Sequence, residues 1–160
     1  MAVTEADFKA AMASFGSGVV VVTTTDASGV PYGFTATSFA SVSKSPPLCL
    51  VCPGHAAEAL PALRAEKRFA VNILSRSQEA LSVKFATHGI DKFDGVPFRL
   101  GKETACPLLD GALVALECRT ETLLTAGDHD VLIGRILAIE VDAGDPLFYF
   151  RGRYRELSGG

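Results

Sequence analysis

The most constraining feature of the sequence is a pair of long strand patterns, 112–125 and 131–141, separated by a short break. The first alternates between an apolar and a charged set: Val114, Leu116 and Cys118, then Glu117, Arg119 and Glu121. The second is apolar at nearly every position, which predicts a strand covered on both faces. In a chain with few long helices, such a strand predicts a closed or partly closed barrel that packs against a second subunit.

The other patterns predict short strands and turns with a few short helices. Thr4 and Asp7 resemble a capping box that opens a helix. A hairpin is predicted over "GVVVVTTT" and "YGFTATSF", followed by strands over "SPPLCLVC" and "RFAVNILS". Helical stretches are predicted over 56–67, which Pro61 interrupts, and over "SQEALSVKFA". The segment 88–107 reads as mostly loop, and "DPLFYFRGRYREL" supplies the last strand.

Composition sets the size and excludes several partners. The 160 residues, 48% of them hydrophobic, predict one domain spanning 1–160. A formal net charge of −3 argues against a general binder of nucleic acid or anionic membranes. The early apolar run "GVVVV" is too short to cross a bilayer, and no basic leader precedes it. We therefore expect a cytoplasmic protein.

The four cysteines predict structural thiols and no metal site. Cys49 and Cys52 form a C-x-x-C, but residues three apart in a strand point to opposite faces. Cys106 and Cys118 lack matching spacing, and no histidine pair completes a zinc pattern. The sequence also lacks a G-x-G-x-x-G or P-loop motif, a G-x-S-x-G elbow and an H-E-x-x-H helix.

Three polar clusters remain, and each has an ordinary structural explanation. Thr35 and Thr37 share one face of a strand, where threonine is common in any case. Ser82 and Lys84 could belong to a solvated helix face. His129 lies at the break between the two long strand patterns, and could be a turn residue or a group at the mouth of a pocket.

Seven motifs in order carry a resemblance to a known family: "FGSGVVVVTT", "GFTATSFASVSKSPPLCLVC", "FAVNIL", "KFDGVP", "PLLDGALVALEC", "GDHDVLIGRI" and "PLFYFRGRY". Together they resemble the flavin reductase family, the short-chain NAD(P)H:flavin oxidoreductases that supply reduced flavin to two-component monooxygenases. The resemblance runs from about Phe8 to Leu157. It implies a mainly β fold with short helices, an FMN-binding split barrel of antiparallel Greek-key character, which acts as a homodimer.

The resemblance also implies a set of flavin-binding residues. Those along the flavin are Thr35, Ala36, Thr37 and Ser38, with Ser41, Val42 and Ser43 just beyond. Those near the ribityl chain and phosphates are Cys52, Ser82, Lys84 and Phe85. A single lysine would grip phosphate only modestly, which suits a flavin that is handed on. Family members often have Asn-Ser at Thr37-Ser38, so the choice between FAD and FMN stays open.

His129 is the catalytic residue that the resemblance implies, placed over the open flavin face to position the nicotinamide of NADH or NADPH. Arg153 and Tyr154 would approach the same face from the last strand. Asp128 and Asp130 are expected to point away from the histidine ring, as neighbours on an extended chain do. Two alternatives stay open: a non-catalytic flavin or haem binder on the same barrel, and a self-contained flavin oxidoreductase that reduces a small organic substrate.

Overall fold

The computed structural model describes residues 2–158, which form a mainly β structure with three short helices. The helices are α1 (Glu5–Ala13), α2 (Leu60–Glu66) and α3 (Glu79–Ala86), the last preceded by a 3₁₀ turn (Arg76–Gln78). The strands are β1 (Ser17–Gly18), β2 (Val20–Thr25), β3 (Pro31–Ala36), β4 (Ala40–Lys44), β5 (Pro47–Val51), β6 (Arg68–Ile73), β7 (Phe98–Leu100), β8 (Pro107–Leu109), β9 (Val114–Ala126), β10 (His129–Val141), β11 (Phe148–Phe150) and β12 (Arg153–Arg155).

Seven strands form one antiparallel sheet in the order β3-β2-β6-β9-β10-β5-β4. Two smaller sheets, β1-β11-β12 and β7-β8, lie outside it. Within residues 2–158 the edge strands β3 and β4 do not pair with each other, so the main sheet is not closed. None of the helices in this part of the chain is long and apolar enough to cross a lipid bilayer.

Strand β2 is the centre of the molecule because both of its faces are covered. Every one of its residues is buried. Val20 and Val22 belong to one apolar cluster, whereas Val19, just before the strand, and Val21 belong to another. This division follows from the two-residue period of a strand. The second cluster also contains Phe85 of α3, and it therefore joins that helix to the sheet.

Most of the predicted elements are confirmed. Helix α1 begins with the expected capping box, in which the side chains of Thr4 and Asp7 bond each other's backbone N–H. The hairpin β2–β3, strands β5 and β6, and helix α3 lie where their patterns predicted them. The two long strands β9 and β10 are also present, and pair along their whole length.

Three local predictions were wrong. The residues after Ala36 turn away and form a separate edge strand, β4, that pairs with β5. Pro61 lies in the first turn of α2 and so begins the helix, where a missing N–H costs nothing. The predicted last strand is a hairpin, β11–β12, which turns at Gly152 with φ +74°. The segment 88–107 is mostly loop, as predicted, and also contains the short strand β7.

Strand β10 is covered on both faces only in its first half. Leu132 and Gly134 are buried, but Ile139 and Val141 are 57% and 71% exposed in the single chain. Gly134 is required by close packing, because a Cβ there would lie 2.3 Å from Cζ of Phe69. The second half of β10 is thus uncovered in the single chain, and its packing against a second subunit stays a prediction.

All four cysteines are free, as predicted. Cys49 points into the core, where its sulfur is 3.8 Å from that of Cys118. Cys52 lies only partly buried beyond the end of β5. The two thiols of the C-x-x-C thus diverge, as expected for residues three apart in an extended segment.

Candidate functional site

A cavity of about 200 Å³ opens between β3, α3 and the last hairpin, and we call it the Thr35 cavity. Its lining combines hydroxyl-bearing and apolar side chains: Val19, Thr35, Ala36, Thr37, Ser82, Ala86, Tyr149 and Tyr154. Four of the predicted flavin-binding residues and one predicted nicotinamide-binding residue therefore meet here.

Hydrogen bonds fix the hydroxyl groups of this cavity. Thr35 Oγ1 donates to the backbone carbonyl of Ser82 at 2.6 Å, which ties the edge strand β3 to helix α3. The Ser82 and Tyr154 hydroxyls lie 2.8 Å apart and share a hydrogen bond. Ser82 is fully buried, so its hydroxyl needs a partner, and Tyr154 supplies it from β12.

A second cavity, of about 220 Å³, shares Thr35 and Ala86 with the first, and we call it the Gly54 cavity. Its full lining is Phe34, Thr35, Gly54, Ala56, Ala57, Phe85, Ala86, His88 and Lys92. Phe85, a predicted flavin residue, is fully buried at its base and meets Phe93 edge to face at 5.0 Å.

Lys92 is a residue of this site that the sequence reasoning missed. It is only 6% exposed, and its ammonium donates to the Gly33 carbonyl at 3.2 Å and lies 3.5 Å from Glu58 Oε2. The Glu58 carboxylate has a lowered pKa, first because it accepts the Gly89 N–H and then because Lys92 is near. The sequence motif "KFDGVP" begins at Lys92 and contributed to the family resemblance, but the resemblance assigned no role to the lysine.

Other predicted flavin residues lie outside both cavity linings. Ser38 Oγ accepts the N–H of Cys52 at 3.1 Å and donates to its carbonyl at 3.3 Å, so these two residues do meet. Lys84 donates from its ammonium to the carbonyl of Asp94, in the loop after α3. The lysine is thus engaged with the loop.

Three further predicted residues lie on a different strand from Thr35, namely on β4: Ser41, Val42 and Ser43. The expectation placed them at the end of the Thr35 strand. A bend at residues 37–39 breaks that strand, and the next residues pair with β5 on the opposite edge of the sheet. A run of small and β-branched residues does not reveal such a bend, because both segments have high strand propensity.

His129 is the first residue of β10, and Gly127 and Asp128 form the turn before it. Its ring packs on Gly54, where an added Cβ would lie 3.4 Å from Nε2. Gly54 lines the Gly54 cavity, so the His129 ring packs against a residue of the cavity wall. The side chain is half exposed.

The two neighbouring aspartates do not both point away. Asp128 Oδ1 accepts a hydrogen bond from His129 Nδ1 at 2.7 Å, and this bond lowers the pKa of Asp128. The expectation that this carboxylate avoids the ring was wrong, because the chain turns at Asp128. Asp130 does point the other way, into the protein, where its side chain is completely buried.

Asp130 is held by three side chains that the sequence did not bring together. Arg64 donates from Nε and Nη2 to the two carboxylate oxygens at 2.8 and 2.9 Å. His55 Nε2 and Thr125 Oγ1 lie 3.0 and 3.1 Å from Oδ1. The Arg64 hydrogen bonds, followed by those of His55 and Thr125, lower the pKa of Asp130 to about 2 despite the opposing effect of burial.

Arg153 and Tyr154 differ in position, although they are adjacent. Tyr154 is partly buried and lines the Thr35 cavity, whereas Arg153 is exposed. Neighbours on a strand point to opposite faces, which accounts for the difference. His129 contacts Gly54 at the Gly54 cavity, whereas Tyr154 lines the Thr35 cavity. The predicted nicotinamide-binding residues therefore lie at different walls of the site.

The lining of the Thr35 cavity suits a planar, partly polar ring system. Apolar atoms of Val19, Ala36 and Ala86 provide flat contact. The other five lining residues carry hydroxyls that supply donors and acceptors: Thr35, Thr37, Ser82, Tyr149 and Tyr154. These hydroxyls can meet the carbonyls and ring nitrogens of a flavin. The residues present therefore fit this cofactor.

Comparison with known proteins agrees with this assessment. The model of the flavin reductase like domain matches residues 12–158. The chain is 40% identical over 149 residues to an NADH-dependent FAD reductase of Streptomyces globisporus, covering 90% of this chain and 81% of the relative. It is 42% identical over 144 residues to a probable flavin reductase of Rhizobium meliloti, covering 90% of this chain but only 46% of that longer protein.

Solved structures give the same answer for the fold. An NADH:FAD oxidoreductase of Streptomyces globisporus superposes with a TM-score of 0.92 at 36% identity, covering 99% of this chain and 98% of the other. The same oxidoreductase in complex with NAD and FAD fragments superposes with a TM-score of 0.90 at 37% identity, covering 96% and 92%. On the strength of the matched domain, the shared fold and the cavity chemistry, this chain belongs to the flavin reductase family.

Proposed function

We propose that the protein is an NADH-dependent flavin reductase that passes reduced FAD or FMN to a partner monooxygenase. The observation that carries the proposal is the Thr35 cavity, where the buried hydroxyl of Ser82 and an apolar wall lie side by side. Relatives support the donor and the partner. They include an NADH-dependent FAD reductase and a protein named as the reductase subunit of a flavin-dependent monooxygenase, 34% identical over 148 residues.

The residues that line the Thr35 cavity would hold a flavin, which would supply the hydride acceptor for the nicotinamide. The protein's own task is to align two rings and keep one face open. Thr35, Thr37 and Ser82 would orient the ring through their hydroxyls, and Tyr154 would hold the Ser82 hydroxyl. His129 would contact the nicotinamide from the hairpin beside Gly54.

The flavin phosphate would be held weakly. Lys84 is engaged by the Asp94 carbonyl, so it must give up that bond to reach a phosphate. Lys92 is the nearer cation to the cavities, but its charge is already partly balanced by Glu58. A site with so little free positive charge suits a flavin that exchanges with solution.

A homodimer would cover the exposed half of β10. Leu137, Ile139 and Val141 are 39%, 57% and 71% exposed on one long strand, an unusual apolar surface for a monomer. We propose that this region packs on a second copy, and that the sheet curves as the split barrel of the family. A monomer by light scattering at micromolar concentration would contradict the dimer.

A second candidate is a flavin enzyme that acts on an organic substrate itself. It rests on a relative named actinorhodin polyketide dimerase, from Streptomyces coelicolor, which is 38% identical over 158 residues and covers 98% of this chain. Such an enzyme would retain its cofactor, whereas a reductase component would release it.

One experiment separates these functions. Purified protein is dialysed against flavin-free buffer, then mixed with NADH and either FAD or FMN while the NADH absorbance is followed. A flavin reductase oxidises NADH with free flavin alone, and the rate saturates with flavin. Absence of NADH oxidation with both flavins would contradict the proposal. Retention of the yellow colour after dialysis would favour the second candidate.

A further inference from the structure

The hairpin tip that carries His129 docks onto the segment 53–55 through backbone contacts. The Asp130 N–H donates to the Pro53 carbonyl and the His55 N–H donates to the Asp128 carbonyl, both at 2.9 Å. His129 itself forms an isolated bridge with Gly54. The position of the histidine therefore depends on how firmly this junction is held.

Few apolar contacts hold the tip of the hairpin itself. Residues 124–129 at the tip are all exposed, and the nearest residues packed in the core are Leu123 and Leu132. An exposed tip with few buried contacts opens easily unless another interaction fixes it. Asp130 is the buried residue at this end of the hairpin.

The carboxylate of Asp130 joins four pieces of chain at one point. It lies on β10 and accepts hydrogen bonds from Arg64 on α2, His55 in the docking segment and Thr125 on β9. The charged groups facing it are Arg64 and His55, and the Asp128 carboxylate lies on the His129 side of the turn. A buried carboxylate is costly unless it is fully paired, so removing one partner should loosen the whole junction.

This cluster also fixes the wall of the cavity. His55 follows Gly54, which lines the Gly54 cavity with Thr35 and Lys92. The hydrogen bond between the His55 ring and the Asp130 carboxylate thus fixes the position of the His129 hairpin relative to the Gly54 wall of the cavity.

We propose that Asp130 is a positioning residue, whose buried carboxylate holds the hairpin on segment 53–55 and thereby sets His129 for the hydride donor. The inference rests on the proposed function, in which His129 contacts the nicotinamide. Asp130 itself touches neither ring, so it acts through His129 and not on the flavin.

The test is a double-variant cycle with Asp130→Asn and His129→Ala, measured as KM and kcat for NADH and as the Kd for flavin. We expect Asp130→Asn to raise the KM for NADH about fivefold, with kcat and flavin Kd within about twofold of wild type. In the His129→Ala background, Asp130→Asn should hardly change the KM for NADH, because the side chain through which Asp130 acts is already absent.

The other outcomes separate the inference from the proposed function. If His129→Ala raises KM but Asp130→Asn does not, the positioning role is overturned and the function of His129 stands. If the two effects multiply in the double variant, Asp130 acts independently of His129 and the inference also fails. A wild-type KM in His129→Ala removes the nicotinamide role, and the inference falls with it.

Three further variants guard against a folding artefact. Arg64→Ala removes, at an exposed position, the guanidinium group that donates two hydrogen bonds to Asp130. It should raise the KM for NADH as Asp130→Asn does, and Arg64→Lys should restore the KM in part. Arg135→Ala breaks an ion pair with Glu121 on the same two strands, away from the tip. It should leave the KM unchanged, and a raised KM there would indicate general loosening of β9–β10 and overturn the assignment to Asp130.

Discussion

The Thr35 cavity and the His129 hairpin are held in place by different forces. The cavity is anchored to the core by Val19 and Ser82, which are almost completely inaccessible, and by hydrogen bonds that join β3, α3 and the last hairpin. The hairpin tip is exposed and depends on the polar cluster around one buried carboxylate. A flavin site can thus be rigid, while the nicotinamide contact lies on a segment that ion pairs and hydrogen bonds hold in register.

Filling the Thr35 cavity should give the largest effect on flavin affinity, because a larger side chain would occupy the space that the flavin ring needs. Thr35→Phe is expected to raise the flavin Kd at least about tenfold, or ~1.4 kcal/mol, since the ring would occupy the cavity. Equilibrium binding followed by flavin fluorescence measures this.

Thr37→Phe repeats the test at an exposed lining position, where unfolding is less of a concern. Ala27→Phe, in the exposed turn between β2 and β3, is the matched control for adding an aromatic ring. Unchanged flavin Kd in both threonine variants, with a normal melting temperature, would remove the flavin from this cavity.

Truncating His129 should affect the other region alone. His129→Ala is expected to raise the KM for NADH about tenfold while flavin Kd stays near wild type, because the ring packs on Gly54 and supports no core residue. Steady-state kinetics at several pH values measures the change.

A wild-type KM would return His129 to the role of a turn residue, whose replacement usually changes stability by less than about 0.5 kcal/mol. If kcat falls and KM does not, the histidine acts in the transition state and not in nucleotide binding.

Acid should weaken the hairpin region through Asp130. Its pKa is about 2 in the folded protein, below the value of about 3.9 in an unfolded chain, so the folded state binds the proton less readily. The resulting stabilisation is complete above roughly pH 4–5 and is lost as the pH falls toward 2. Urea unfolding of wild type and Asp130→Asn should therefore give midpoints that converge between pH 5 and pH 2.

Asp110→Asn, which changes an exposed aspartate, is the control and should show no comparable convergence. A difference in urea midpoint between wild type and Asp130→Asn that stays constant at all pH values would mean that the charge of Asp130 does not stabilise the fold.

The smallest expected effect is the loss of one hydroxyl from the Thr35 cavity. Tyr154→Phe removes the partner of the buried Ser82 hydroxyl, which is worth about 0.5–1.5 kcal/mol in stability. We expect a small fall in melting temperature and a severalfold rise in flavin Kd. Tyr32→Phe, whose hydroxyl is 3.4 Å from Asp26 and outside the cavity lining, should leave the flavin Kd unchanged.

Local sequence patterns predicted the parts of the site that lie within one element. The two-residue period placed Thr35 and Thr37 on one face of a strand, and helical spacing predicted α3 itself, whereas the roles of Ser82 and Phe85 came only from the family resemblance. The same reasoning did not predict that Ser41, Val42 and Ser43 lie on a separate strand, because strand propensity does not reveal where a chain bends; their contact with flavin stays a prediction.

The sequence by itself determined the strand-rich fold, the capped first helix, the long β9–β10 hairpin and the family. These follow from periodicity, turn residues and motif order, which are properties of neighbouring residues. Only the tertiary structure decided that Lys92 lines a cavity and that Asp130 meets Arg64 and His55. Those contacts join residues more than 50 positions apart, and the cost of burying a charge selects them only once the chain has folded.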